Sequence, residues 1–337
     1  MNRYSIFFTA PRQVEVREET LPNLAPDQVV VQTRLSALSP GTETLVYRGQ
    51  FPEEMALDES IAALSGQFRY PFRNGYCAAG QVVEAGALVD PAWQNRLVFA
   101  FQPHASHFLA APGELIPLPE DVSLEEAVFL PNMETAVNLV MDGKPVIGER
   151  VAVFGQGIVG LLTAALLAQF PLEQLVTLDR YPLRRQASRQ LGAHASLDPL
   201  DPETAPKMQS LLEGGADLTY ELSGAPEALD GAIAATGFEG RVVVGSWYGR
   251  KRASLDLGGR FHRSRVRLIS SQVSTIASTY SGRWTKARRF EVAWEMLRSV
   301  RPSRFITHRF PLSEAAQAYQ LVDQHPQDAL QVVFTYP

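Results

Sequence analysis

The chain has one cysteine in 337 residues. A single thiol, Cys77, excludes an internal disulfide framework and any metal loop built from four cysteines. An excess of positive charge is missing too: 31 Lys and Arg stand against 36 Asp and Glu, a formal net charge of −5. With no basic surplus to neutralise phosphates, nucleic acid is not an expected partner, and a small molecule is. The opening stretch MNRYSIFFTAPRQVEVREE lacks the long apolar run and the small-residue cleavage site of a signal peptide, so a reducing cytoplasm is the expected compartment. Charge is absent altogether from Val151 to Leu172, a run long enough to imitate a membrane span. It opens VAVFGQGIVG, however, and three glycines within six residues suit a tight turn between a buried strand and a buried helix, so no membrane is expected. Internal repeats and low-complexity segments are lacking as well.

What is present, 45% hydrophobic and 20% charged residues over this length, suits a globular chain of about two domains. The first part reads as β-rich: QVVVQTRLSAL (28 to 38), GQVVEAG (80 to 86) and NRLVFAF (95 to 101) are short β-branched runs bounded by turn formers. Near residue 120 the rhythm changes, and Ser123 before Leu-Glu-Glu-Ala resembles a helix cap with acidic residues in the first turn. After residue 150, apolar strand runs (RVAVFG, QLVTLD, ADLTYELSG, GRVVVGSW) alternate with helical stretches, which predicts an α/β, doubly wound parallel sheet covered on both faces. Beyond about residue 272 the helical GRWTKARRFEVAWEMLRS, the extended FITHRF, the helix PLSEAAQAYQLVDQ and the strand ALQVVFTY follow, and the last strand is expected to return to the first domain.

One motif carries a cofactor. Gly155, Gln156, Gly157, Ile158, Val159 and Gly160 spell G-x-G-x-x-G between a predicted strand and a predicted helix. Gly155 would make the tight turn, Gly157 would admit a pyrophosphate, and Gly160 would let helix and strand pack closely, with the helix N-terminus facing the phosphates. Asp179 ends the next predicted strand, where a carboxylate can accept both hydroxyls of an adenosine ribose and repel a 2′-phosphate. NAD is therefore preferred. Arg180 follows directly and keeps NADP possible. The competing reading is a glycine-rich turn in an α/β domain that binds nothing.

These residues, with the phrases PGTETLVYRG, HASHFLAAP, ELSGAPEAL and ITHRFPLSEAAQAYQL, resemble the medium-chain dehydrogenase/reductases, the group of alcohol dehydrogenases and quinone reductases. The resemblance implies a GroES-like β-barrel catalytic domain over 1–122 and 273–337, a Rossmann domain over 123–272, and a homodimer paired through the edge RVRLISSQV. It also implies site residues. Thr42 matches the Ser/Thr that relays the substrate proton, Thr135 a threonine packed on the nicotinamide, and Arg184 a basic position beside the ribose. Ser223, Gly224, Gly245 and Ser246 fall at strand ends on the nucleotide side, with ordinary turns as their other reading. Tyr47, Cys77, His104 and Trp247 are candidates to line the substrate pocket.

Zinc is where the sequence departs from the family. At the first ligand position PGTE has Pro40 in place of cysteine, at the second GYC has Tyr76 in place of histidine, and near the third stand Pro131 and Asn132. A catalytic zinc needs about three Cys, His or carboxylate ligands. Cys77, His104, His107 and Glu43 are ligand-capable, yet their placement gives no reason to converge, and no metal is expected. In its place Tyr76 could donate to a carbonyl or enolate oxygen, or merely fill the vacated volume. The expectation is a zinc-independent, NAD-preferring oxidoreductase acting on an alcohol/carbonyl pair. An NADPH-dependent quinone or enoyl reductase and a non-catalytic dinucleotide-binding protein are the alternatives. The insertion FPEEMALDESIAALSGQFRYP is expected to shape one wall of the substrate cleft.

Overall fold

A computed structural model describes residues 1–51 and 69–337. The expectation for the insertion falls on 52–68, outside the described residues. The chain divides into two compact units, Met1–Pro131 with Arg301–Pro337, and Asn132–Val300.

The first unit is a β structure. Val29–Ala37, VVVQTRLSA, is almost wholly buried because it runs through the middle of its sheet. It pairs antiparallel with Ala78–Ala85, His107–Ala110 and the C-terminal strand Gln331–Thr335. The C-terminal segment does return to this unit, because Val332, Val333 and Phe334 are fully buried and the strand beside Val29–Ala37 is where they can be covered. Ile6, Phe8, Phe334 and Tyr319, from the helix Ala315–Gln324, form one core.

The second unit carries, among the described residues, a six-stranded sheet in the order Ala195–Leu197, Gln174–Leu178, Arg150–Phe154, Ala216–Glu221, Thr236–Val244, Arg267–Ser270, all parallel. The strand order reverses at Arg150–Phe154, the switch point at which open α/β sheets take ligands. Strands buried on both faces read as continuous apolar runs, which is why VAVF and LVTL were legible. The units are a GroES-like β unit and a Rossmann unit.

Unit boundaries fall at 131/132 and 300/301, against the 122/123 and 272/273 read from the sequence. Two contacts explain the difference. Glu126, in the short helix capped by Ser123, accepts from the Ser303 N–H at 3.2 Å and keeps that helix with the β unit. Arg289, on the helix Lys286–Val300, is fully buried and bonded to Glu134 (2.7 Å) and Asn138 (2.6 Å), which ties 273–300 to the Rossmann unit. No helix among the described residues is long and apolar enough to cross a membrane.

Candidate active site

In the Rossmann unit the glycine motif forms a cradle. Gly155 has φ +91°, and a Cβ there would lie 2.5 Å from Ser223 Cα. A Cβ on Gly160 would lie 1.9 Å from the Gly155 carbonyl oxygen, so the first turn of the helix Ile158–Leu167 can approach its strand only without a side chain. Gly157 is different: the nearest atom to its Cβ position is Arg184 Nη1 at 3.9 Å, which leaves the face beside the helix N-terminus open. Ile158 and Val159 begin that helix, and the buried Gln156 amide donates to the Gly155 carbonyl at 2.9 Å.

Asp179 closes the cradle. One carboxylate oxygen accepts the Gln156 N–H at 2.8 Å, the other the Tyr181 N–H at 2.8 Å, and Arg184 Nη1 stands 3.8 Å away. The loop and the end of the second strand are thus locked to one carboxylate. Arg180 and Arg184 lie over Tyr181, 4.7 and 4.8 Å from its ring centre, so cations flank the acid. Ser223 adjoins Gly155, and Gly224 N–H donates to Ser246 Oγ at 2.8 Å. Gly245 serves packing, since a Cβ would lie 2.6 Å from Leu139 and Leu222. Thr135 is half-buried on the helix Leu130–Gly143, and Trp247 is exposed. The sequence reading missed Glu221, fully buried at the end of its strand, which accepts from Ser223 N (2.8 Å) and the Tyr248 phenol (2.5 Å). These donors hold two of the loops at this end of the sheet. The cradle, its free helix N-terminus and its acid fit a dinucleotide.

In the β unit the structure brings Tyr76, Ser39 and Thr42 together. The Tyr76 phenol donates to Ser39 Oγ at 2.5 Å. Burial pushes this phenol up to about 12, with the Glu43 carboxylate adding to the effect against the pull of the Ser39 and Thr42 hydroxyls. It therefore stays protonated at neutral pH and acts as a donor.

Three pocket candidates are corrected. Tyr47 is buried in the core with its ring stacked on Tyr319, because the helix Thr42–Tyr47 turns that face inward. His104 has no exposed surface: its Nδ1 meets Ser36 Oγ at 2.7 Å and its Nε2 meets Glu43 Oε2 at 3.0 Å. Cys77 is also buried, donates to the Val128 carbonyl, and has its thiol raised by burial, which disfavours the thiolate.

These bonds bear on zinc. Both His104 nitrogens are engaged, and Glu43 already accepts from Ser39 N, His104 and Tyr319. Pro40, Tyr76 and Pro131, which the resemblance sets at the family's ligand positions, carry no thiol, imidazole or carboxylate. Among the described residues no three His, Cys, Asp or Glu are grouped to hold a metal ion. Among the described residues these donors do not fit zinc.

A family profile described as zinc-binding dehydrogenase matches residues 159–292. The chain is 22% identical over 344 residues to D-guloside 3-dehydrogenase of Escherichia coli strain K12, with 97% of this chain and 98% of that protein covered. It is 25% identical over 308 residues to sorbitol dehydrogenase 1 of Saccharomyces cerevisiae, covering 79% and 82%. Among solved structures, a short chain alcohol dehydrogenase of Escherichia coli CFT073 complexed with NADH superposes with a TM-score of 0.80 at 18% identity, over 99% of both chains. A 2R,3R-butanediol dehydrogenase of Bacillus subtilis does so with a TM-score of 0.79 at 17% identity, again over 99% of both. With the strand order and the glycine cradle already in place, the profile match over 159–292 and these superpositions show that the chain shares the fold of these alcohol dehydrogenases.

Proposed function

We propose that the protein is a nicotinamide-dependent alcohol oxidoreductase that prefers NAD and works without zinc. The observation that carries the reading is the locked cradle of Gly155, Gly160 and Asp179, which leaves the Gly157 face open for a pyrophosphate and offers an acid to the ribose. A bound nicotinamide supplies the hydride acceptor or donor. The chain's own part is to bind it, to orient the substrate and to manage charge on one oxygen. Tyr76 suits that last task as a neutral phenol whose one O–H, given to Ser39 in this structure, would turn to the carbonyl or alkoxide oxygen of a bound substrate, with Thr42 beside it. The polyol and glycoside dehydrogenases among its relatives support a polyhydroxylated secondary alcohol as substrate class.

The test is titration with NADH and NADPH, metal analysis of the purified protein, and turnover on a panel of polyols and glycosides before and after chelation. Tighter NADH binding, turnover and chelator-insensitive rates are expected. Stoichiometric zinc whose removal abolishes turnover would overturn the zinc-free mechanism, and NADPH preference with enone reduction would favour the reductase alternative. We also propose homodimerisation through the edge strand Arg267–Ser270, for which light scattering should give twice the 37.2 kDa chain mass.

A further inference from the structure

Glu43 is fully buried and its carboxylate is saturated. Oε1 accepts the Ser39 N–H at 2.8 Å, and Oε2 accepts from His104 Nε2 at 3.0 Å and from the Tyr319 phenol at 2.5 Å. The backbone N–H of Glu43 returns to the Ser39 carbonyl at 2.9 Å, so one residue grips Ser39 at both its backbone groups. The hydroxyl of that same Ser39 receives the Tyr76 phenol.

His104 reaches Tyr76 by a second route. Its ring packs on Gly75, where a Cβ would lie 2.6 Å from His104 Cδ2 and where φ is +108°, a conformation suited to glycine. Its backbone N–H donates to the Asn74 carbonyl at 3.3 Å. The other face of the ring is anchored as well. Its Nδ1 lies 2.7 Å from Ser36 Oγ, which in turn lies 2.7 Å from the Tyr336 hydroxyl. A buried ionic cluster is no more stabilising than an apolar one of equal volume. What a fully satisfied cluster can supply is one fixed geometry.

We propose that His104 is a positioning residue for Tyr76, acting through Glu43 and Ser39 on one side and through Asn74 and Gly75 on the other, with Tyr319 completing the clamp. This rests on the reading of Tyr76 as the donor to substrate oxygen. A donor must be held to within about 0.5 Å of its productive place, and the clamp fixes both its hydrogen-bond partner and the backbone that precedes it.

The test uses Tyr319→Phe, His104→Leu and His104→Gln, each alone and combined with Tyr76→Phe, assayed on the best alcohol of the panel with NAD. Tyr319→Phe and His104→Leu are expected to lower kcat roughly tenfold or more, as small misplacements of a reacting group do, with NADH affinity unchanged. His104→Gln, which can still donate to Glu43, should restore kcat to within about threefold of wild type, and none of the three should lower it further in the Tyr76→Phe background. A fall in Tm with wild-type kcat, or losses that multiply with that of Tyr76→Phe, would overturn the inference. If Tyr76→Phe alone keeps wild-type kcat, the donor reading fails and the inference with it; if only the clamp variants keep it, the inference alone fails. Should His104→Leu not fold, Tyr319→Phe removes a single hydroxyl and decides.

Discussion

The phenol of Tyr76 and the hydroxyl of Ser39 lie 2.5 Å apart, with Tyr76 as donor. In the proposed mechanism Tyr76 is the donor to substrate oxygen, which makes the phenol the group to remove first. Tyr76→Phe should lower kcat by about 10²-fold, the lower end of what a positioned acid contributes, while fluorescence titration finds NADH affinity unchanged. A wild-type rate would reduce Tyr76 to a space-filler.

The same phenol makes a prediction in pH. Its folded value, about 12, lies above the ordinary 10.0. The stability that its neutral form contributes is therefore full below pH 10 and lost as pH rises through about 12. The rate profile should show no tyrosine limb between pH 7 and 10. A limb in that window that disappears in Tyr76→Phe would contradict the assignment.

The glycines separate binding from folding. Gly157→Ala meets only Arg184 at 3.9 Å, so its Tm should match wild type while NADH affinity drops at least about tenfold, because the new methyl occupies the pyrophosphate face. Gly160→Ala drives a methyl to 1.9 Å from a backbone oxygen and should cost stability itself, about 2 kcal/mol or more by urea denaturation.

The proposed NAD preference rests on Asp179. Asp179→Ala removes the carboxylate that repels a 2′-phosphate and leaves Arg180 and Arg184 beside the site. The ratio of NADPH to NADH dissociation constants should fall by about tenfold or more, an electrostatic change of about 1.4 kcal/mol. An unchanged ratio would remove Asp179 from ribose recognition.

Arg289 holds 273–300 to the Rossmann unit through a buried pair with Glu134. Arg289→Met leaves that carboxylate buried without its cation and should destabilise the protein by about 3–5 kcal/mol. Adding Glu134→Leu should recover part of the loss, because no charge then remains to be buried.

The Rossmann unit was the most legible part of the chain. Its strands are buried on both faces and so read as unbroken apolar runs, and Gly155, Gly160 and Asp179 sit at spacings that the turn, the close approach and the ribose dictate locally. His104 and Tyr47 were misread as pocket residues because nothing in a sequence says which way a polar or aromatic side chain turns inside a barrel.

By itself, then, the sequence determined the alternation of strands and helices that makes a parallel α/β sheet and the glycine turn at its first strand, both fixed by short-range geometry and burial. Only the tertiary structure decided that Glu43, His104, Tyr319 and Tyr336 share one hydrogen-bonded cluster behind Tyr76. Hydrogen-bonded partners in it lie as many as 300 positions apart, as Ser36 and Tyr336 do. They meet because the C-terminal strand must find a sheet edge that buries Val332 and Phe334, and no local pattern encodes which edge that is.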